Sequence, residues 1–409
     1  MNGLVSNVAL NLSLTLWSWI DMKELESVIL SHLHNICLKP TRHVGSPEVK
    51  EAADYIEKIF RSYGYTDVRQ EGFPTTGWRF GSMLFTDLDN NCTEVPGALP
   101  CFFSRAADVI GVPVWLTEKE IADLTQCDVR GKLCIVEFFS DAADIRGRNG
   151  IAEELDRLGA AAAVFISDCD YHTTCAASTK IQRSPNLKSM AAAVVSEKGA
   201  YYLANNRHHN FRLFMDADTF DNTSYNVAAI RPGTGSKRAI FGAHHDGAPI
   251  GQAACDNASG VACILELARL LKDEMQEWTF EFVSFDAEEY CINSCYAAGS
   301  DAYTAAHSER KWEFFMNFDS IGMFFAKELL HVGRPELLPE FTSCYEKAPI
   351  KLAGDDRNFD KLGIPTLWFN SHAKFQDFHT PLDTIDTLDM KKIAQCIADA
   401  VSVTRQLCR

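Results

Sequence analysis

Residues 238–289 read RAIFGAHHDGAPIGQAACDNASGVACILELARLLKDEMQEWTFEFVSFDAEE. This stretch contains a strand pattern with a polar end, then a helix pattern at 259–272, then a second apolar strand pattern that runs into paired glutamates. Two more strand patterns, KWEFFMNFDS (311–320) and GIPTLWFN (363–370), precede a closing helix pattern. Apolar strands that alternate with helices favour a parallel sheet covered on both faces. We therefore predict an α/β fold with a mostly parallel, twisted sheet sandwiched by helices.

Helix-boundary residues support this interpretation. Ser259 stands at the start of the first helix pattern and is predicted as its N-cap. Nearer the N-terminus, SPEVKEAADYIEKIFRSYGY (46–65) predicts another helix, capped by Ser46, with Pro47 in its first turn and Gly64 at its end.

The rest of the chain divides by pattern into four segments. Residues 1–21 form an N-terminal extension whose apolar run is broken by Asn, Ser and Thr, so it is a poor signal peptide and a weak membrane span. Residues 22–91 and 215–409 carry the two parts of the main domain. Between them, residues 92–214 contain strand patterns such as GKLCIVEF (131–138) and AAAVFIS (161–167), which predict a smaller inserted α/β domain.

The composition limits the classes of binding partner and indicates the cellular compartment. The chain has 409 residues, 46% of them hydrophobic, and a formal net charge of −16, which disfavours nucleic acid and anionic membrane as partners. Its fourteen cysteines form no CxxC pair, which is typical of reduced thiols. We expect a cytoplasmic location, with secretion as the alternative, and we make no prediction of the oligomeric state.

Histidines and carboxylates follow the ends of the predicted strands. They are His244, His245 and Asp246 after the first strand, Glu288 and Glu289 after the second, Asp319 after the third, and His379 after the last. Asp256 precedes the helix pattern that begins at Ser259. Because ligands bind beyond the carboxyl ends of parallel strands, we expect these side chains to meet at one edge of the sheet. Mixed nitrogen and oxygen ligands suit a divalent transition ion such as zinc.

The number of carboxylates favours two ions over one. A single ion with three or four ligands would leave carboxylates unpaired and close together, whereas two ions about 3.5–4 Å apart would neutralise the cluster. A carboxylate shared between the ions would account for Asp256. One of the paired glutamates would then bind an ion, and the other would serve as a general base.

The motifs GAHHD, DNASG, DAEEY, NFDS and FHTPLDTID resemble those of the co-catalytic zinc peptidases of family M28, the clan of aminopeptidase Y and glutamate carboxypeptidase II. The resemblance covers roughly residues 38–90 and 215–405. The inserted segment, with VRGKLCIVEF and LGAAAAVFIS, resembles a protease-associated (PA) domain.

The resemblance implies a role for each of these residues. It assigns His244 and Asp319 to one zinc ion, Glu289 and His379 to the other, Asp256 to a bridge between them, Glu288 to the general base, and Asp246 to the orientation of His244. Cobalt or manganese can occupy similar ligands. The implied reaction is hydrolysis of a terminal peptide bond, in which Glu288 activates a water held between the ions.

Two segments depart from the family pattern. In GDDRNF, Asp356 takes the place of a His that commonly follows the Asp matched by Asp355. In EEYCINSC, Cys291 and Ser294 stand where relatives commonly have glycine, which predicts a reshaped loop beside Glu288. His245 is interpreted as incidental.

The charge around the predicted ligands indicates which terminus of the substrate is cut. The segments around the ligands are acidic, with Arg357 the nearby cation in GDDRNF, and carboxylates attract the free α-amine of a peptide or small aminoacyl substrate. We therefore predict a metallo-aminopeptidase. The alternatives are a carboxypeptidase or dipeptidase of the same clan, a glutaminyl cyclase, and a binding protein of this fold without catalysis.

Overall fold

The computed structural model describes residues 20–38, 41–137, 145–166, 187–289, 297–350, 354–373 and 379–409. Its helices are α1 (Met22–Ile36), α2 (Pro47–Ser62), α3 (Glu118–Ile121), α4 (Ile145–Leu158), α5 (Glu197–Asn205), α6 (Ser259–Leu271), α7 (Ala298–Ala306), α8 (Asp356–Lys361) and α9 (Met390–Leu407). Its strands are β1 (Asp67–Asp87), β2 (Thr93–Glu94), β3 (Ala98–Pro100), β4 (Ala107–Gly111), β5 (Val114–Leu116), β6 (Leu133–Val136), β7 (Ala162–Ile166), β8 (Ala191–Val195), β9 (Phe211–Arg231), β10 (Arg238–His244), β11 (Thr279–Phe285), β12 (Phe314–Phe318), β13 (Ala326–Gly333), β14 (Glu346–Pro349) and β15 (Thr366–Ala373). Most of the predicted N-terminal extension, residues 1–19, lies outside the described residues.

The larger sheet has the strand order β14-β13-β15-β12-β10-β11-β9-β1-β2, with β4 paired to β9. Its four central strands, β15, β12, β10 and β11, are parallel to one another. Antiparallel pairs flank this centre, β9 on one side and β13 on the other. The predicted α/β class with a central parallel sheet is therefore confirmed, and the antiparallel flanks are features that periodicity did not indicate.

Helices cover both faces of this sheet, as predicted. One apolar core joins α1, α2, α6 and α9 to the strands, with Phe241 and Met316 pointing into it. A second core on the other face joins α7 and α8 to the sheet through residues such as Ile240 and Phe315. Adjacent residues of one strand thus enter different cores, because successive side chains in a strand alternate between faces. This double burial explains the continuous apolar runs of the central strands.

A smaller sheet, β3-β8-β7-β6-β5, lies within the segment predicted as an insertion. Strands β5 to β8 are parallel, and β3 is antiparallel to β8. The long strands β1 and β9 pair from Asp67↔Ile230 to Asp87↔Phe211 and connect the two sheets. Strand β9 runs without a break through the predicted boundary at residues 214 and 215. The identification of this segment as a PA domain stays a prediction.

The structure confirms one of the two predicted helix N-caps and contradicts the other. The Ser46 side chain accepts a hydrogen bond from the Val49 N–H, so the predicted cap of α2 is confirmed. The prediction of Ser259 as the cap of α6 was wrong. An irregular turn, Ala254–Ala258, with non-helical backbone angles at Asp256 and Asn257, leads directly into the helix. The Ser259 hydroxyl instead donates to the Cys255 carbonyl at 2.8 Å. None of the described helices is both long and apolar enough to cross a membrane.

Candidate metal centre

The predicted ligands lie at one edge of the larger sheet because its central strands end there in the same direction. Strand β10 ends at His244, β11 ends three residues before Glu288, and β12 ends immediately before Asp319. His379 follows β15, and Asp256 lies in the irregular turn ahead of α6. The strand ends therefore bring together residues that are up to 135 positions apart in the sequence.

One group of ligand atoms surrounds His244. Its Nε2 lies 3.1 Å from Asp256 Oδ1 and 3.6 Å from Asp319 Oδ1. This nitrogen is buried and makes no hydrogen bond, although two carboxylates face it. A buried polar atom without a hydrogen-bond partner is rare, and a metal ion would supply the missing partner.

A second group surrounds His379. Its Nε2 lies 2.9 Å from Asp256 Oδ2 and 2.7 Å from Glu289 Oε1. In each group, one ligand atom from every residue lies within 4.8 Å of the others. Asp256 belongs to both groups and turns one oxygen toward each histidine, which is the arrangement expected of a bridging carboxylate.

These donor atoms fit divalent ions in both chemistry and spacing. Ligands about 2.1 Å from a tetrahedral zinc ion lie roughly 3.4 Å from one another, close to the separations found here. Burial by itself would lower the pKa of His379, but Glu289 and Asp256 outweigh it and raise that pKa well above its usual value. The site thus attracts positive charge strongly, and a divalent ion can satisfy it in place of protons.

Glu288 is part of neither group. Its Oε2 lies 4.0 Å from His244 Nε2, and the side chain is almost fully buried. Burial raises its pKa well above the usual range, and the neighbouring carboxylates of Glu289 and Asp355 add to this effect, while His244 opposes it. A carboxyl group beside the ligands, but outside both groups, has the placement that a general base requires.

Asp246 connects two of the loops at the site. Its carboxylate accepts hydrogen bonds from the backbone N–H groups of Glu288 at 3.0 Å and Glu289 at 3.1 Å. The Nδ1 of His244 lies 3.1 Å from the Asp246 backbone carbonyl and 3.4 Å from its Oδ1. Asp246 was predicted to orient the imidazole of His244, and that role stays a prediction. The backbone carbonyl is the nearer of the two oxygens, and the carboxylate holds the paired glutamates.

The segment that departs from the family pattern lies beside the predicted base. A Cβ atom added at Gly354 would be 2.9 Å from Glu288 Oε1 and 3.5 Å from Asp319 Oδ2. Asp355 and Asp356 are both buried, and burial raises their pKa values to about 7 and about 6. This edge of the site is therefore rich in carboxyl groups. Cys291 and Ser294 of the other departing segment lie outside the described residues.

Sequence reasoning missed two buried ionic residues near the ligands, Arg42 and Asp383. Asp383 follows His379 by four residues and accepts a hydrogen bond from the Asp256 N–H at 3.2 Å, and burial raises its pKa to about 7. Arg42 donates to backbone carbonyls near the site. Both residues contact loops that are distant in the sequence, so no local sequence pattern indicates their contacts. Asp383 nevertheless lies within a quoted motif, FHTPLDTID.

Comparisons with known proteins agree with the fold. Residues 226–404 match Peptidase family M28. The aminopeptidase YwaD of Bacillus subtilis (strain 168) is 25% identical over 201 residues, and this alignment covers 42% of this chain and 42% of that relative.

Solved structures share the fold over most of the chain. An aminopeptidase from Aneurinibacillus sp. strain AM-1 superposes with a TM-score of 0.66 and 24% identity over 93% of both chains. BSAP, a zinc aminopeptidase from Bacillus subtilis, gives 0.72 and 19% identity over 94% of both chains. A Peptidase M28 precursor from Shewanella amazonensis SB2B gives 0.72 and 19% identity over 98% of this chain and 96% of that one. All the predicted ligands lie inside residues 226–404, the part of the chain that matches Peptidase family M28.

Proposed function

We propose that this protein is an aminopeptidase that uses two divalent ions, zinc in the first instance, to release N-terminal residues from peptides. The observation that carries the proposal is the division of five side chains into two groups that share Asp256. His244 and Asp319 would hold one ion, and Glu289 and His379 the other. Two ions at such a centre lower the pKa of a shared water and polarise the scissile carbonyl.

The protein's own groups would then handle the proton. Glu288, whose Oε2 faces the His244 side of the centre, would take a proton from the attacking water and return it to the leaving amine. The hydrogen bonds from its backbone and that of Glu289 to Asp246 keep the base and the adjacent ligand in fixed relative positions. This preorganisation matters because a displaced base loses much of its effect.

The charge of the site favours an N-terminal over a C-terminal substrate group. Glu288, Asp355 and Asp356 are buried carboxyl groups on one side of the centre, and Gly354 lies directly against Glu288. An α-ammonium group complements this negative field, whereas an α-carboxylate would be repelled by it. The YwaD and BSAP relatives, both named aminopeptidases, support the same choice.

Two substrate panels test this assignment. Aminoacyl anilides with free amines should be hydrolysed by the metal-loaded protein, and N-acetylated peptides with free carboxyl termini should not. Treatment with a chelator should abolish the activity, and added zinc should restore it. Hydrolysis confined to the N-blocked peptides would instead assign a carboxypeptidase, and cleavage of dipeptides alone a dipeptidase.

A further inference from the structure

The loop that carries the bridging ligand, residues 251–256 (the bridging loop), is held by Arg42 on its carbonyl side. Arg42 is only 1% exposed and donates from Nη1 to the Gln252 carbonyl at 2.6 Å and from Nη2 to the Ala253 carbonyl at 2.9 Å. Its Nε donates to the His245 carbonyl at 3.1 Å. One guanidinium therefore ties the bridging loop to the residue beside His244, a predicted ligand of the first ion.

Asp383 holds the same loop on its amide side. It is 2% exposed, and its two carboxylate oxygens accept hydrogen bonds from the Cys255 N–H at 2.6 Å and the Asp256 N–H at 3.2 Å. The Asp383 carbonyl also accepts from the Gln252 N–H at 3.0 Å. Because Asp383 lies four residues after His379, it ties the bridging loop to the segment that carries a predicted ligand of the second ion.

Both side chains hold a stretch of backbone that contains a strained residue. Gly251 has φ +81° and Ala253 has φ +49°, and a non-glycine residue in the left-handed region is strained. Two carbonyl contacts from Arg42 and two amide contacts on Asp383 compensate for this strain with charge-assisted hydrogen bonds. The position of the Asp256 carboxylate therefore depends on both side chains.

We propose that Arg42 and Asp383 are positioning residues that jointly set the affinity of the centre for both ions. This rests on the proposed two-ion function, because Asp256 must bridge for one displacement to weaken both sites. Arg42 lies outside residues 226–404, the part of the chain that matches Peptidase family M28, so the proposal also gives the N-terminal part of the chain a role at the centre. Loss of either residue should weaken both ions together.

The test compares two variants with two matched controls. Asp383→Asn keeps the shape of the side chain, but its amide N–H group would face one of the two backbone N–H donors. Arg42→Lys keeps the positive charge but loses the planar guanidinium, which donates to several carbonyl groups at once. Asp386→Asn makes the same change three residues further on at an exposed position, and Arg69→Lys changes an exposed arginine.

The full-length chain, stripped of metal, is titrated with zinc in a buffered series, and bound ions are counted by native mass spectrometry. We expect Asp383→Asn and Arg42→Lys to raise the free-zinc midpoints of both ions by about 10–100-fold, and both controls to stay within about 2-fold of wild type. If both variants had the same free-zinc midpoints as wild type, or if only one ion were bound more weakly, the proposal would be overturned. Loss of cooperative unfolding in the metal-free variants would also overturn it, because these residues would then be required for folding of the whole chain.

Failure of the function and failure of this inference give different results. A wild-type protein that binds two ions but releases no N-terminal residue would remove the aminopeptidase assignment and leave the expected shifts unchanged. A wild-type protein that binds one ion would contradict both.

Discussion

The Nε2 atom of His379 lies 2.9 Å from Oδ2 of Asp256. The other oxygen of the same carboxylate lies 3.1 Å from His244 Nε2, so one aspartate faces both histidines of the centre. This relationship divides the ligands into two groups and leaves Glu288 outside both.

Replacing the predicted base should separate chemistry from metal binding. In Glu288→Gln, the side chain keeps its size but cannot take a proton, so kcat should fall by about 10²–10⁴-fold. Both ions should remain, because Glu288 belongs to neither ligand group. The measurement is kcat with an aminoacyl anilide beside the zinc content of the same sample, and wild-type turnover in the variant would remove Glu288 from this role.

A methyl group at Gly354 should disturb the base without disturbing the fold. The added Cβ would lie 2.9 Å from Glu288 Oε1, at the movable end of a side chain, so Gly354→Ala should shift that carboxyl group and lower kcat. Gly111→Ala is the control, because nothing lies within 4 Å of its added Cβ. Equal kcat values for the two variants, measured at equal zinc content, would contradict the contact.

Asp246 should act mainly through the paired glutamates. Asp246→Asn leaves only one oxygen to accept hydrogen bonds from the two backbone donors of Glu288 and Glu289. A buried donor without a partner costs about 1–3 kcal/mol, so the metal-free variant should lose that much free energy of unfolding in urea. Activity should fall by about 10–100-fold, as for other residues that support a metal ligand. A variant as stable and active as wild type would show that these hydrogen bonds contribute nothing.

The stability of the metal-free protein should decrease as pH rises from about 5 to 8. Burial raises the pKa values of Asp286, Asp355 and Asp383 to about 7 and that of Asp356 to about 6. In the unfolded chain these groups are already ionised at pH 5, so the folded state binds more protons and loses stability as they leave. The expected slope is on the order of 1 kcal/mol per pH unit for each proton retained.

Zinc should reverse this trend, since its ligands bind it only when deprotonated. Urea unfolding at several pH values, with and without zinc, gives both slopes. A metal-free protein that becomes more stable between pH 5 and 8 would contradict the raised pKa values.

The sequence predicted the centre of the fold better than its margins. Strands β10, β11 and β12 are buried on both faces, and ionisable residues stand at or shortly after their ends. Their parallel arrangement and the meeting of His244, Glu289 and Asp319 therefore followed from local pattern. The predicted cap of α6 was wrong because the stretch ahead of Ser259 folds as an irregular turn that runs directly into the helix. Arg42 was not predicted because it binds carbonyl groups about 200 residues away in the sequence, and no sequence spacing indicates that contact.

The most direct test of the shared carboxylate is the number of ions bound by Asp256→Asn beside that bound by Asp319→Asn. The wild-type chain should retain two zinc ions after dialysis. Asp319→Asn should retain one, because only the His244 group loses a ligand, and Asp256→Asn should retain none, because both groups lose one. Native mass spectrometry gives the counts directly. Two ions in Asp256→Asn, or one ion in the wild type, would contradict the central claim that Asp256 bridges a pair of ions.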